Sequence, residues 1–160
     1  MGHYDVGQVC LNGHEITGNY SPGSQFAEDY CSRCGAQTVT QCQNCNTSIR
    51  GYYDHEGGVI AIPTFNAPAY CYKCGEPFPW TSMAIEAAQE LTDEIENLTD
   101  VERSKAKESF IDITKDTAQT EVAIVRIKKL LTKAGPVVGD ALKQIIVSIA
   151  TEATKKQFGL

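Results

Sequence analysis

The seven cysteines of this 160-residue chain are spaced in a way that leaves few folds open. Six form Cys-x-x-Cys pairs, Cys31-Ser-Arg-Cys34, Cys42-Gln-Asn-Cys45 and Cys71-Tyr-Lys-Cys74, and the seventh opens Cys10-Leu-Asn-Gly-His14. Two or three intervening residues let a tight turn aim both members of a pair at one point, and a tetrahedral zinc ion takes two such pairs. The candidate ligands are therefore Cys10, His14, Cys31, Cys34, Cys42, Cys45, Cys71 and Cys74, enough for two closed sites with no cysteine left over. Disulfides are the competing use, but they belong to secreted chains, which usually open on a hydrophobic signal segment. Met1-Gly-His-Tyr-Asp-Val6 carries no such run and one pair contains histidine, so the expectation is two structural zinc ions in a reducing cytoplasm.

Composition changes abruptly near Trp80. Residues 1–80 hold every cysteine, all three histidines and eleven of the thirteen aromatics, whereas residues 81–160 carry aliphatic residues at helical spacing. A loop-rich half of this size cannot offset its ordering entropy by hydrophobic burial alone, so metal staples are expected there. The reading is an α+β chain: a metal-stapled pair of β zinc ribbons over residues 1–80, then an all-α bundle or hairpin over 81–160. Gln37–Gln41, Ser48–Tyr53 and Val59–Ile62 are β-branched and aromatic pieces bounded by turn residues, which suits small antiparallel hairpins.

Spacing leaves two pairings of the ligand pairs. Either each site takes two consecutive pairs, or the two central pairs share one ion and the outer pairs the other. The sequential scheme is preferred because Cys10-x-x-Gly-His14 followed by Tyr30-Cys-x-x-Cys-Gly35 resembles a recurrent bacterial zinc-ribbon pattern. Gly13, Gly35 and Gly75 stand where knuckle turns need a positive φ. Taken with Ile49-Arg-Gly51, Pro68-Ala-Tyr-Cys71 and Pro79-Trp-Thr81, these motifs resemble a bacterial domain-of-unknown-function family of double zinc-ribbon proteins, a likeness that extends through the helical tail. The resemblance implies a bacterial, cytoplasmic, metal-bound protein and brings no activity with it.

Thr81 or Ser82 is placed to cap a first helix running to about Asn97, with Ala84, Ala88, Leu91, Ile95 and Leu98 along one face and Glu86, Glu90, Asp93, Glu94 and Glu96 on the other. Thr99-Asp-Val-Glu102 reads as a capping box for a second helix carrying Phe110, Ile111 and Ile113. A third starts at Asp116 or Thr117 and carries Val122, Ile124, Val125, Ile127, Leu130 and Leu131. Gly135-Pro136 then marks a helix-to-helix turn into a last amphipathic helix striped with Val138, Ala141, Leu142, Ile145, Ile149 and Ala153. Polar residues interrupt that stripe well short of a membrane span.

Charge narrows the function classes. Residues 1–80 have three basic and seven acidic side chains, and thiolate-bound zinc adds further negative charge. Arg33, Arg50 and Lys73 are too few to neutralise a run of phosphates, which argues against nucleic acid despite the tyrosines that could stack bases. Residues 81–121 hold four basic and eleven acidic residues, while 122–160 hold seven and two. No phosphate-binding loop, nucleophile elbow or metalloprotease helix is present, and His55 between Asp54 and Glu56 reads as a solvated turn. The leading expectation is a non-enzymatic zinc-binding adaptor for a protein partner, with the helical region available for homo-oligomerisation. Two others stand beside it: a membrane-active or defence-associated effector in which the basic amphipathic helices meet anionic lipid, and nucleic-acid binding through Arg126, Lys128, Lys129 and Lys133.

Overall fold

A computed structural model describes residues 1–57 and 64–160, and its contacts divide into two units, Met1–Thr81 and Ser82–Leu160. Among the described residues the first unit holds five short strands: β1 (His3–Val6), β2 (Gln8–Cys10), β3 (Glu15–Thr17), β4 (Thr38–Val39) and β5 (Arg50–Asp54). They form two antiparallel sheets, one in the order β3-β2-β4 and one pairing β1 with β5. The fold is α+β, small sheets followed by helices.

β4 and β5 fall where the sequence places its first two strands, and those segments meet in a local antiparallel bridge, Gln41 opposite Ser48, but β4 and β5 themselves do not ladder with each other. Each instead pairs with an amino-terminal strand: Val9 lies opposite Val39, and Tyr4 opposite Tyr53. Strands of three or four residues are too short to show a period, which is why β1, β2 and β3 left no signal in the pattern. The third expected strand, Val59–Ile62, lies outside the described residues. β2 is the central strand and is buried along its whole length. Its Val9 joins Ile49, Phe78, Cys42 and Cys71 in a small core, with Val39, Phe65 and Trp80 packed against it. Gly51 cannot be replaced without a shift, because a Cβ there would stand 1.9 Å from the Gly18 carbonyl oxygen, which accepts the Tyr52 N–H at 2.7 Å.

The first helix, α1 (Pro79–Asp93), opens two residues before the expected Thr81, since proline is tolerated in a first helical turn. Thr81 does not cap it; its hydroxyl donates to the Ala69 carbonyl at 2.8 Å. The helix also stops short of Asn97. Glu94 and Ile95 fold their N–H groups back to Leu91 and Thr92 at 3.3 Å, and the Arg103 guanidinium donates to the carbonyls of Thr92 (2.6 Å) and Ile95 (3.0 Å). Those contacts satisfy acceptors that the helix end leaves open.

α2 (Asp100–Asp112) begins with the expected capping box: the Glu102 N–H donates to the Thr99 hydroxyl at 3.2 Å, and the Thr99 N–H to the Glu102 carboxylate at 3.0 Å. α3 (Ala118–Lys133) starts after Thr117, whose N–H donates to the Thr120 hydroxyl at 3.0 Å. α4 (Gly135–Ile149) ends before the last position of the expected stripe, Ala153. Ala150 turns extended (φ −73°, ψ 149°), and Thr151 caps a separate α5 (Glu152–Phe158) by accepting the Thr154 N–H at 3.3 Å. Ala153 is consequently exposed and Thr154 buried, the reverse of the continuous-stripe expectation.

Phe110, Ile113, Ile124, Ile127, Leu130, Leu142 and Ile146 form the core of the helical unit. Leu142, Ile146 and Ile149 thus commit the α4 stripe to internal packing, while Val122 and Val125 of α3 stay exposed at 41% and 53%. Among the described residues no helix is long and apolar enough to cross a membrane.

Glu102 also bonds Lys133 at 2.6 Å, tying α2 to α3. The Lys133 ammonium, then the Thr99 amide, hold its carboxyl near 2 instead of the ordinary 4.5. A carboxyl depressed on folding adds stability that is complete above its unfolded value and fades as pH falls toward its folded one. E102Q is therefore expected to melt earlier than the parent at neutral pH, with the gap closing between about 4.5 and 2. Thermal melts of the helical signal against pH measure this; a gap that persists unchanged at the acid end would refute the assignment.

Candidate metal centres

Each Cys-x-x-Cys knuckle is built by the same backbone bonds. The first cysteine donates its N–H to the carbonyl five residues on, Cys31 to Ala36, Cys42 to Thr47 and Cys71 to Glu76, each at 2.8 Å. The residue after the second cysteine returns its N–H to the first cysteine's carbonyl: Gly35 to Cys31 (2.7 Å), Asn46 to Cys42 (2.9 Å) and Gly75 to Cys71 (2.9 Å). That returning residue is left-handed in every case, with φ of 73° at Gly35, 59° at Asn46 and 78° at Gly75. Asn46 escaped the sequence reading, which looked for glycine. Asparagine is the side chain that best tolerates this region, so its position one residue past Cys45 was the available signal. In the remaining pair the turn residue is Gly13 (φ 87°), lying against Trp80, whose indole N–H donates to the Pro68 carbonyl at 2.9 Å.

The knuckles bring the eight candidate donors into two groups. Cys10, His14, Cys31 and Cys34 form one and Cys42, Cys45, Cys71 and Cys74 the other, with the donor atoms of each group within 4.8 Å of one another. Of the two pairings open to the sequence, this is the sequential one. In the first group Cys10 Sγ lies 3.7 Å from Cys34 Sγ, and His14 Nδ1 lies 3.5 Å from both Cys10 Sγ and Cys31 Sγ. In the second, Cys42 to Cys74 and Cys45 to Cys71 are each 3.7 Å, sulfur to sulfur.

These separations suit a shared ion. Zinc–sulfur bonds of about 2.3 Å place tetrahedral sulfurs about 3.8 Å apart, and a zinc–nitrogen bond of about 2.0 Å places sulfur and nitrogen about 3.5 Å apart. A disulfide would need sulfurs about 2.0 Å apart, and all seven cysteines are free thiols. The donor sets fit a metal, and they would hold it as a staple: four protein donors per group fill a tetrahedron.

The donors are not equivalent. The leading cysteine of each pair, Cys10, Cys31, Cys42 and Cys71, is buried at the base of its knuckle, while Cys34 and Cys74 are exposed. Burial pushes the Cys10 thiol up and that of Cys42 to about 11. Cys34 is drawn down to about 6, first by the Ala36 amide and then by the Asn12 side chain, whose Nδ2 donates to its Sγ at 3.3 Å. Cys45 reaches about 6 through the Thr47 hydroxyl, 3.3 Å away, and the Thr47 amide, and the Cys74 amide lowers Cys71. Asn12 and Thr47 are supporting residues that orient and stabilise thiolates, and short-range pattern reading did not find them.

Aromatic residues of this unit divide by role. Phe78 is buried and stacks on Trp80 at 4.6 Å, whereas Tyr4, Tyr30, Tyr53 and Tyr72 are exposed. The Arg50 guanidinium lies over the rings of Tyr72 (3.8 Å) and Tyr4 (4.7 Å). Tyr4 meets Tyr53 edge-on at 4.9 Å, and Tyr53 meets His55 at 4.5 Å. His55 accordingly extends an aromatic strip and belongs to neither donor group.

Small antiparallel sheets carrying two four-donor Cys/His clusters, followed by helices, define a protein built around two candidate metal staples. A family model covers residues 3–158, and the chain belongs to that family, described as an uncharacterized protein conserved in bacteria (DUF2321). The description names no metal. No curated protein and no solved structure matches the chain.

Proposed function

We propose that this protein is a zinc-stapled, non-catalytic interaction module, in which two structural zinc ions hold an aromatic surface in shape for a protein partner. The strip Tyr72–Arg50–Tyr4–Tyr53–His55 carries the reading: solvent-exposed tyrosine rings already in contact with a guanidinium are the residue types that dominate protein interfaces. Zinc is the metal of choice because thiolate and imidazole donors in a tetrahedral array match its preferences. Four donors in each group leave no position for a substrate or a reactive water, which supports a structural role.

The acidic balance of residues 1–80 favours a partner with a basic face over a polyanion. Helices α3 and α4 offer a second surface, for homo-oligomerisation or docking, through exposed side chains such as Val122 and Val125.

Affinity capture from native bacterial extract at gentle salt tests the proposal. The zinc-loaded chain is expected to retain a defined partner, and Tyr4→Ala combined with Tyr72→Ala to release it without loss of metal. Recovery of the chain alone, as an inert monomer, would overturn the reading.

A further inference from the structure

Within the helical unit, cations crowd one face of the α2–α3 pair although the chain as a whole carries a formal charge of −6. Arg126, Lys129 and Lys133 stand at i, i+3 and i+7 on α3, on one side of that helix, and Lys105 of α2 joins them around a cavity of about 290 Å³. The floor is apolar, with Ala106 and Leu130 each 3% exposed.

Internal ion pairing does not account for the cluster. Glu102, on the rim, takes Lys133 with one carboxylate oxygen and the Thr99 amide with the other. On α1, Asp93 is engaged by Arg103 and Lys107. Among the described residues Lys105, Arg126 and Lys129 make no ion pair. Like charges held this close repel one another, so a counter-charge from outside the chain is the natural occupant.

We infer that this cavity binds a small organic ligand bearing a phosphate monoester, with the phosphoryl group among Lys105, Arg126 and Lys129 and the organic part on Ala106 and Leu130. A phosphate monoester carries about −1.5 to −2 charges, a closer match to three free cations than a single carboxylate. The Arg126 guanidinium presents the planar fork that pairs with phosphate oxygens two at a time. Cavity size bounds the ligand at the small end of the usual range of roughly 300–1,000 Å³. A nucleic-acid backbone would need cations strung along a surface, not gathered round one hollow. Lys128 is elsewhere, over the Phe158 ring at 6.0 Å.

Calorimetric titration of the full metal-loaded chain with phenyl phosphate tests the assignment, beside inorganic phosphate, phenol, and phosphatidylcholine vesicles carrying phosphatidic acid. Saturable binding of phenyl phosphate, tighter than that of inorganic phosphate, is expected. Arg126→Gln or Lys129→Gln should weaken it about 10-fold, the scale of one charge-assisted hydrogen bond, and Lys143→Gln should leave it unchanged. Lys143 is the control because it pairs with Asp140 away from the cavity. Vesicle binding that depends on Arg126, without phenyl phosphate binding, would support the site and place the phosphate on a lipid. Absence of binding to both probes, equal affinity for inorganic and phenyl phosphate, or equal losses in the Lys143 and Arg126 variants would overturn the proposal.

Discussion

Chelating the metal from the loaded chain is expected to unfold residues 1–81 and leave the helical signal of 82–160 in place. Among the described residues the first unit has a small buried apolar set, chiefly Val9, Ile49 and Phe78, around two clusters of closely spaced sulfurs. Without an ion, those sulfurs would be held near 3.7 Å with nothing to bind them together. Structural zinc contributes roughly 10–16 kcal/mol of apparent binding free energy in small zinc-finger peptides, more than a core of this size can replace. Elemental analysis should give about two zinc per chain. Cys31→Ser and Cys74→Ser should each lose one ion, from different clusters. Amide spectra recorded during chelation would then show resonances of residues 1–81 collapsing while those of 82–160 keep their dispersion. One ion per chain, or concerted collapse of both sets, would defeat the prediction.

The donor groups were legible because metal chemistry imposes a short and rigid spacing. A knuckle needs two residues between sulfurs and a left-handed residue after them, so Cys31, Cys34 and Gly35 announce themselves within five positions. The strands were less legible for the opposite reason. β1 pairs with β5, joining Tyr4 to Tyr53, and no local pattern encodes a partner that distant. Helix α2 was readable from Thr99 and Glu102, which interact three residues apart, whereas the stop of α1 depends on Arg103 reaching back to Thr92 and Ile95. The α4–α5 break was available in Thr151 and Thr154, but a continuous apolar stripe outweighed it. The basic cavity lay beyond local reading too: Lys105 joins the α3 cations only once α2 and α3 are packed. Local chemistry thus shows in the sequence, and whatever two distant segments make together does not.

Phe110→Ala is expected to cost the helical unit about 3–5 kcal/mol, the range for deleting a fully buried aromatic side chain. Phe110 is wholly inaccessible to solvent and is the largest of the fully buried side chains. It sits in the last turns of α2, in the core that also holds Ile113, Ile124 and Ile127. Adjacent core residues are aliphatic and already buried, so they have little freedom to refill the volume that a benzyl group leaves. A unit of about 80 residues has a net stability of the same order, so the variant is expected to be largely unfolded or molten over 82–160 at 37 °C. The metal clusters supply the discriminating readout. All eight donors lie within residues 1–81 and their knuckles are closed by bonds among those residues, so the variant should still bind about two zinc. Loss of metal together with the helical signal would show that the two units fold as one. Retention of metal alongside a lost helical transition would make the first unit a separately folding body, whose staples close without help from the helical core.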